Sequence, residues 1–155
     1  MKLYLVQHGQ AKPKEADPER PLSETGTADL GKITAFIDTN IGFRAVTIFH
    51  SGKLRARQTA EILAEHVKPV RGVSQAEGLD PTADPTIWVD RLKGMQEDII
   101  LVGHLPHLDR LASLLLTGDQ DRSVVTFHNA GIVCLIRNDN KRWSLDWIVT
   151  PEILK

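Results

Sequence analysis

The chain has 155 residues, 41% of them hydrophobic and 25% charged, the profile of one soluble globular domain over 1–155 and not of a disordered or fibrous segment. A formal net charge of −1 supplies no basic field of the kind nucleic-acid binding needs, which leaves a small molecule or another protein as partner. The single cysteine, Cys134, excludes an intrachain disulfide and lies in an apolar run, where it reads as a small buried hydrophobe.

Met1-Lys2 leads into Leu3-Tyr4-Leu5-Val6, too short for a secretory signal and without a small-residue cleavage site, so it reads as a strand that ends at Gln7-His8-Gly9. The longest apolar stretches, such as Leu111 to Leu116 with its Ser113, are far too short to span a bilayer. The expected location is the cytoplasm, with no membrane contact; the sequence leaves the oligomeric state open.

Gln10 to Leu22 is polar and reads as a loop, and Ser23 as the cap of a helix over 24–38. That helix contains Gly26 and Gly31 yet places Leu30, Ile33, Phe36 and Ile37 on one side. A turn over Asn40 to Arg44 leads to a strand, Val46 to Phe49, that stops at His50-Ser51. The next helix, 53–66, has the clearest period: Ala56, Ala60, Leu63, Ala64 and Val67 face inward, while Arg57, Glu61 and Glu65 face outward. Arg55 falls in its first turn.

Val70 to Ser74 reads as a short edge strand, Glu77 to Pro81 as a loop, and 85–93 as a brief helix carrying Ile87, Trp88 and Leu92. The run Ile99-Ile100-Leu101-Val102 is a third strand stopping at Gly103-His104-Leu105-Pro106, with a helix over 108–116 behind it. Phe127 to Ile136 and Trp143 to Val149 read as two final strands joined by the turn Arg137 to Arg142.

Alternating strands and helices point to an α/β, three-layer sandwich: a mostly parallel central sheet with helices on both faces. Three strands end in a polar group followed by a helix, which is how such sheets build a site beyond their carboxyl ends. His8, Arg55 and His104 would then surround one crevice. If the Ile132 run is antiparallel, its start reaches the same edge and brings His128 and Asn129 to the border.

The chemistry of that set is narrow. A neutral imidazole is a nucleophile toward phosphorus, a guanidinium grips phosphate oxygens with a planar fork, and a second imidazole donates to a further oxygen. Helix starts add backbone N–H groups, and Gly9 lets the backbone come close. Arg57, two residues from Arg55, faces another way. His104 and His107 raise the alternative of a metal held with His8 or His128. No His-Glu-x-x-His carboxylate accompanies them and Pro106 interrupts the helix start, so no metal is assigned.

The sequence resembles the histidine phosphatase (phosphoglycerate mutase-like) superfamily, and within it the small SixA-type phosphohistidine phosphatases. The resemblance rests on His8-Gly9, on Arg20-Pro21-Leu22-Ser23-Glu24-Thr25-Gly26, on Ser51 to Thr59, and on Val102-Gly103-His104-Leu105-Pro106, in the family's order and spacing. It implies a phosphatase that needs neither metal nor cofactor, with His8 as nucleophile and Arg55 and His104 as catalytic partners. Glu77 is the implied proton donor, with Asp80 and Asp17 as alternatives. Gln7, Gly9, Arg20, Ser51, Lys53 and Asn129 are the expected phosphate-binding residues.

One departure stands out. The family's first motif is Arg-His-Gly, and Gln7 occupies the arginine's place. Exchanging a charge-assisted contact for a neutral amide contact loses roughly 1 to 2 kcal/mol, about one order of magnitude in rate. Lys53 or Arg20 can supply part of the missing charge.

The short gaps between motifs leave little room for the long insertions that form a lid, so the crevice is expected to be shallow and open. That suits a phosphohistidine domain of a protein, the substrate the SixA resemblance implies. A small-molecule phosphomonoesterase of the same superfamily, or a catalytically impaired phosphate-binding module, are the alternatives.

Overall fold

The computed structural model describes residues 1–40 and 42–155. Its centre is a six-stranded sheet of order β3-β2-β4-β1-β5-β6, with β1 Lys2–Gln7, β2 Thr47–His50, β3 Val73–Gln75, β4 Ile99–Gly103, β5 Ile132–Arg137 and β6 Trp143–Val149. Strands β3, β2, β4 and β1 run parallel, β5 is antiparallel to β1, and β6 antiparallel to β5. Only β5 therefore opposes the common direction.

Period-2 alternation in β1 sorts its side chains between two cores. Tyr4 and Val6 join Leu30, Ile33, Ala56, Ala60 and Leu63 of helices α1 (Glu24–Thr39) and α2 (Leu54–Val67). Leu3 and Leu5 join Trp88 and Leu92 of α3 (Thr86–Lys93) and Leu108, Leu111 and Ala112 of α4 (His107–Thr117) on the other face. The expected three-layer α/β architecture is thus present, and Cys134 is buried in the first core. Among the described residues no helix is long and apolar enough to cross a membrane.

Ser23 caps α1 as expected, its hydroxyl accepting from the Gly26 N–H at 3.0 Å. Gly26 itself answers a steric demand: a Cβ there would stand 2.1 Å from the Gln10 carbonyl oxygen, inside the loop that follows the first strand. A helix-interior glycine costs about 1 kcal/mol against alanine, which is less than the displacement of that loop.

Two strands begin later than the sequence suggests. Val70 is 88% exposed, with Lys68 and Gly72 both in the left-handed region, so the chain is still turning where an edge strand was expected, and the ladder register with β2 starts at Val73. Residues 127–131 are likewise not strand. Ala130 has φ 62°, and its N–H donates to the Gln7 carbonyl at 2.9 Å, so this segment folds over the end of β1 before β5 starts. The turn expected over Asn40 to Arg44 includes Ile41, which lies outside the described residues.

Register brings the functional edge together. Gln7 pairs with Gly103 and His50 with Val102, so the carboxyl ends of β1, β4 and β2 are level, and Ile132 at the start of β5 sits opposite Val6.

Candidate active site

His8 leaves the end of β1 with both ring nitrogens engaged. Nδ1 lies 2.7 Å from the Gly9 carbonyl oxygen, which can only accept, so Nδ1 carries the proton. Arg55 Nε donates to His8 Nε2 at 3.3 Å, so Nε2 holds the lone pair. The two contacts specify one tautomer. Burial above all, with the Arg55 and Arg20 charges behind it, pushes the His8 pKa down to about 4, and the ring is neutral at pH 7.

His104 directly follows β4 and is 2% exposed. Its ring centroid is 4.9 Å from that of His8, and its Nε2 is 2.6 Å from Ser51 Oγ. Burial, then the charges of His8, Arg55 and Lys53, hold its pKa down at about 3. The fold thus collects His8, His104 and Ser51 from the ends of three strands and Arg55 from the first turn of α2.

The remaining expected residues sit around this group in different ways. Lys53 is the N-cap of α2, its N–H donating to Ser51 Oγ at 3.3 Å while its side chain is exposed. Arg20, at φ 50°, donates from Nε to the Lys12 carbonyl at 3.2 Å, and its charge is felt by both His8 and Arg55. Asn129 turns its amide onto the backbone, Nδ2 donating to the His8 carbonyl at 3.0 Å. Gln7 buries Oε1 without a partner.

Gly9 is explained differently from the expectation. Its N–H is already given to Thr59 Oγ1 at 3.0 Å, and a Cβ would press on Leu22, the Gly26 carbonyl and Leu30 at 3.0–3.2 Å, so the absent side chain makes room for α1 and not for a ligand. Glu77 anchors its segment by its backbone carbonyl, which accepts from Trp88 Nε1 at 3.1 Å and Arg91 Nη1 at 2.9 Å. Its exposed carboxylate has no hydrogen-bond partner among the described residues. Asp17 and Asp80 make no hydrogen bond to the three central side chains either; Asp17 Oδ1 accepts from the Glu19 N–H. His128 is exposed, with Glu152 at 3.8 Å, and Arg57 faces outward beside Glu61.

Thr59 and Gln58 were missed from the sequence. Thr59 Oγ1 donates to the Arg55 carbonyl at 2.8 Å and accepts from Gly9, tying α2 to the chain that leaves β1. Gln58 Oε1 accepts from the Leu22 N–H at 2.8 Å and fixes the 10–22 loop. The signal for Thr59 was its i+4 relation to Arg55, which puts both on one helix face.

His8, His104 and His107 share a consequence for stability, because burial also pushes His107 down to about 4. Unfolded, each binds its proton near pH 6.5; folded, each resists until about pH 3 to 4. Below 6.5 the unfolded chain holds more protons, so stability is full above that pH and declines as pH falls. The slope reaches about 1.4 kcal/mol per pH unit for each fully buried ring. Urea midpoints measured from pH 7 to 4 should fall steadily, and a flat profile would show the rings to be solvated.

Comparison with known proteins adds four findings. The model of the histidine phosphatase superfamily (branch 1) matches residues 3–80, a span that holds His8, Arg20, Ser51 and Arg55. An uncharacterized protein of Picosynechococcus sp. is 31% identical over 144 residues, 87% of this chain and 84% of that one. Among solved structures, the protein histidine phosphatase SixA complexed with tungstate is similar with a TM-score of 0.85, 20% identity and full coverage of both chains (100% and 100%). A phosphoserine phosphatase mutant from Entamoeba histolytica in complex with phosphoserine is similar with a TM-score of 0.70 at 15% identity, covering 97% of this chain and 98% of that one. At these identities the structural likenesses establish the phosphoglycerate mutase-like fold.

Proposed function

Since the chain belongs to the histidine phosphatase superfamily (branch 1), whose members are phosphatases, we propose that it hydrolyses protein phosphohistidine through a phosphoryl group carried on His8. The observation that carries this is the His8 tautomer: the proton is fixed on Nδ1 by a carbonyl, and the Nε2 lone pair faces the Arg55 guanidinium. That lone pair attacks phosphorus in line, and the P–N bond to the substrate imidazole breaks. Arg55 moves from His8 Nε2 onto the phosphoryl oxygens, with the Ser51 hydroxyl, which accepts from His104, and the Gln7 amide as neutral donors. Water then attacks phosphorus, the P–Nε2 bond breaks, and inorganic phosphate leaves.

Phosphohistidine suits the acid-poor side of the site. Its imidazole leaving group accepts a proton readily, so the solvent-facing Glu77 is not required as a strong general acid. A phosphate ester has a poorer leaving group and needs one. The second reading, a phosphomonoesterase acting on small molecules, is favoured by the likeness to the phosphoserine phosphatase. A substrate panel at matched concentrations separates the two.

The deciding experiment is incubation with a phosphohistidine donor, rapid quench and mapping of the labelled residue. An acid-labile, base-stable phosphoryl group on His8 is expected. Label that survives acid, on Ser51, or bound phosphate with no turnover, overturns the reading; the latter result favours a phosphate-binding module.

The site also predicts the effect of restoring the family's arginine. Gln7→Arg should raise kcat/KM about tenfold, by adding one charge-assisted contact. A rate that stays level or falls in steady-state assays would mean that the pocket is adapted to the amide.

A further inference from the structure

The side-chain polar atoms that the fold buries without a partner are gathered in one place. Among the described residues they are Gln7 Oε1, His104 Nδ1 and both ring nitrogens of His107. Gln7 ends β1 beside Gly103 of β4, His104 follows at once, and His107 opens α4. His107 is 0% exposed, so no substrate atom reaches it. Two unpaired ring nitrogens on the inner face of a helix, next to Leu108 and Leu111, oppose folding, where a leucine would not.

His104 has a need that His107 can meet. With its proton on Nδ1, His104 would bury an N–H that lacks an acceptor. With the proton on Nε2, the N–H donates to Ser51 Oγ, and Nδ1 presents a lone pair inward. The partner of the inward nitrogen sets the tautomer of a histidine. A neutral His107 has one N–H and one lone pair, and the turn that carries it closes on His104, whose carbonyl accepts from the Leu108 N–H at 2.9 Å.

We propose that His107 is a positioning residue for His104: its ring N–H, through one bridging water, supplies the donor at Nδ1 that keeps the His104 proton on Nε2, toward Ser51 and the phosphoryl pocket. This rests on the phosphatase reading only for its effect on rate.

The groups that face His107 are Asp80 and Asp84, from the segment leading into α3, Arg110 one turn along α4, and His104. The two carboxylates favour a protonated ring and Arg110 opposes it, while burial outweighs all of them and keeps the ring neutral. His104 is faced by His8, Arg55 and Lys53 as well, all of which disfavour its cation. What His107 passes to His104 is therefore a hydrogen-bond direction and not a charge.

The test uses the full chain, with imidazole nitrogen-15 NMR, steady-state rates and pH–rate profiles for His107→Leu, His107→Phe and His107→Gln. The parent should show His104 as the Nε2–H tautomer. The leucine and phenylalanine variants should show a mixture of the two tautomers and about a tenfold lower kcat, with KM within about twofold. The glutamine variant, which keeps a donor, should recover most of both signals. Should the leucine variant not fold, the phenylalanine variant, with the ring outline retained, reads the same quantities. An unchanged His104 tautomer in the apolar variants would sink the proposal, whatever the rate does. If the parent hydrolyses no phosphorylated substrate, the phosphatase reading fails alone, because the tautomer still decides the role of His107.

Discussion

His8→Ala should hydrolyse phosphohistidine at no more than about one thousandth of the parent rate. Truncation removes the only lone pair that Arg55 and the Gly9 carbonyl jointly aim into the pocket. Neighbouring groups offer no substitute: His104 is occupied at Nε2 by Ser51, and the Ser51 hydroxyl is occupied by His104 and the Lys53 N–H. Folding should survive, because the His8 ring is only half-buried and alanine removes its acid sensitivity. Phosphate release under saturating substrate, beside a thermal melt, checks both statements. Retention of a tenth of the parent activity would remove His8 from the nucleophile's role, and loss of the melt would make the variant uninformative about chemistry while leaving the phosphoryl-mapping experiment to decide.

Much of this site was legible because it lies where local pattern and sheet geometry agree. The alternation Leu3-Tyr4-Leu5-Val6 fixes which residues enter each core and therefore where the strand stops, and the ends of β2 and β4 repeat the same signal. The inward stripe of α2 fixes Arg55 in its first turn. What was not legible depends on contacts between distant segments. Nothing local in Phe127-His128-Asn129-Ala130 announces a left-handed alanine; the turn exists because the Ala130 N–H and the Asn129 amide both find backbone carbonyls of the Gln7-His8 pair. Gly9 suggested close approach to a ligand, and the close approach is real but made by Leu22, Gly26 and Leu30. Glu77 had the expected place along the chain, while its carboxylate faces solvent and only its carbonyl is anchored. His107 entered the sequence reading only through a metal alternative that was set aside, and nothing local shows that the fold buries it on the inner face of α4.

Arg55→Met is the substitution with the next largest expected effect, a loss of about a hundredfold to a thousandfold in kcat. With Gln7 in the place of the motif arginine, Arg55 is the one guanidinium among the described residues in hydrogen-bond contact with His8, and methionine keeps its length without its charge. Arg55→Lys should lie between, because it restores the charge and not the planar fork. A second signature separates this role from simple packing. Burial is the main cause that holds the His8 pKa near 4 and the Arg55 charge a smaller one, so removing Arg55 should raise that value modestly while burial still keeps it below the ordinary range. In the proposed reaction His8 attacks only when neutral: the parent should lose kcat/KM as pH falls through about 4, and the methionine variant should lose it at a somewhat higher pH. The lysine variant, still cationic, should keep the acid limb near that of the parent. A methionine variant whose rate drops while its acid limb stays in place would mean that Arg55 grips substrate without touching the proton affinity of His8, and the close pairing of the two side chains would then not persist in solution.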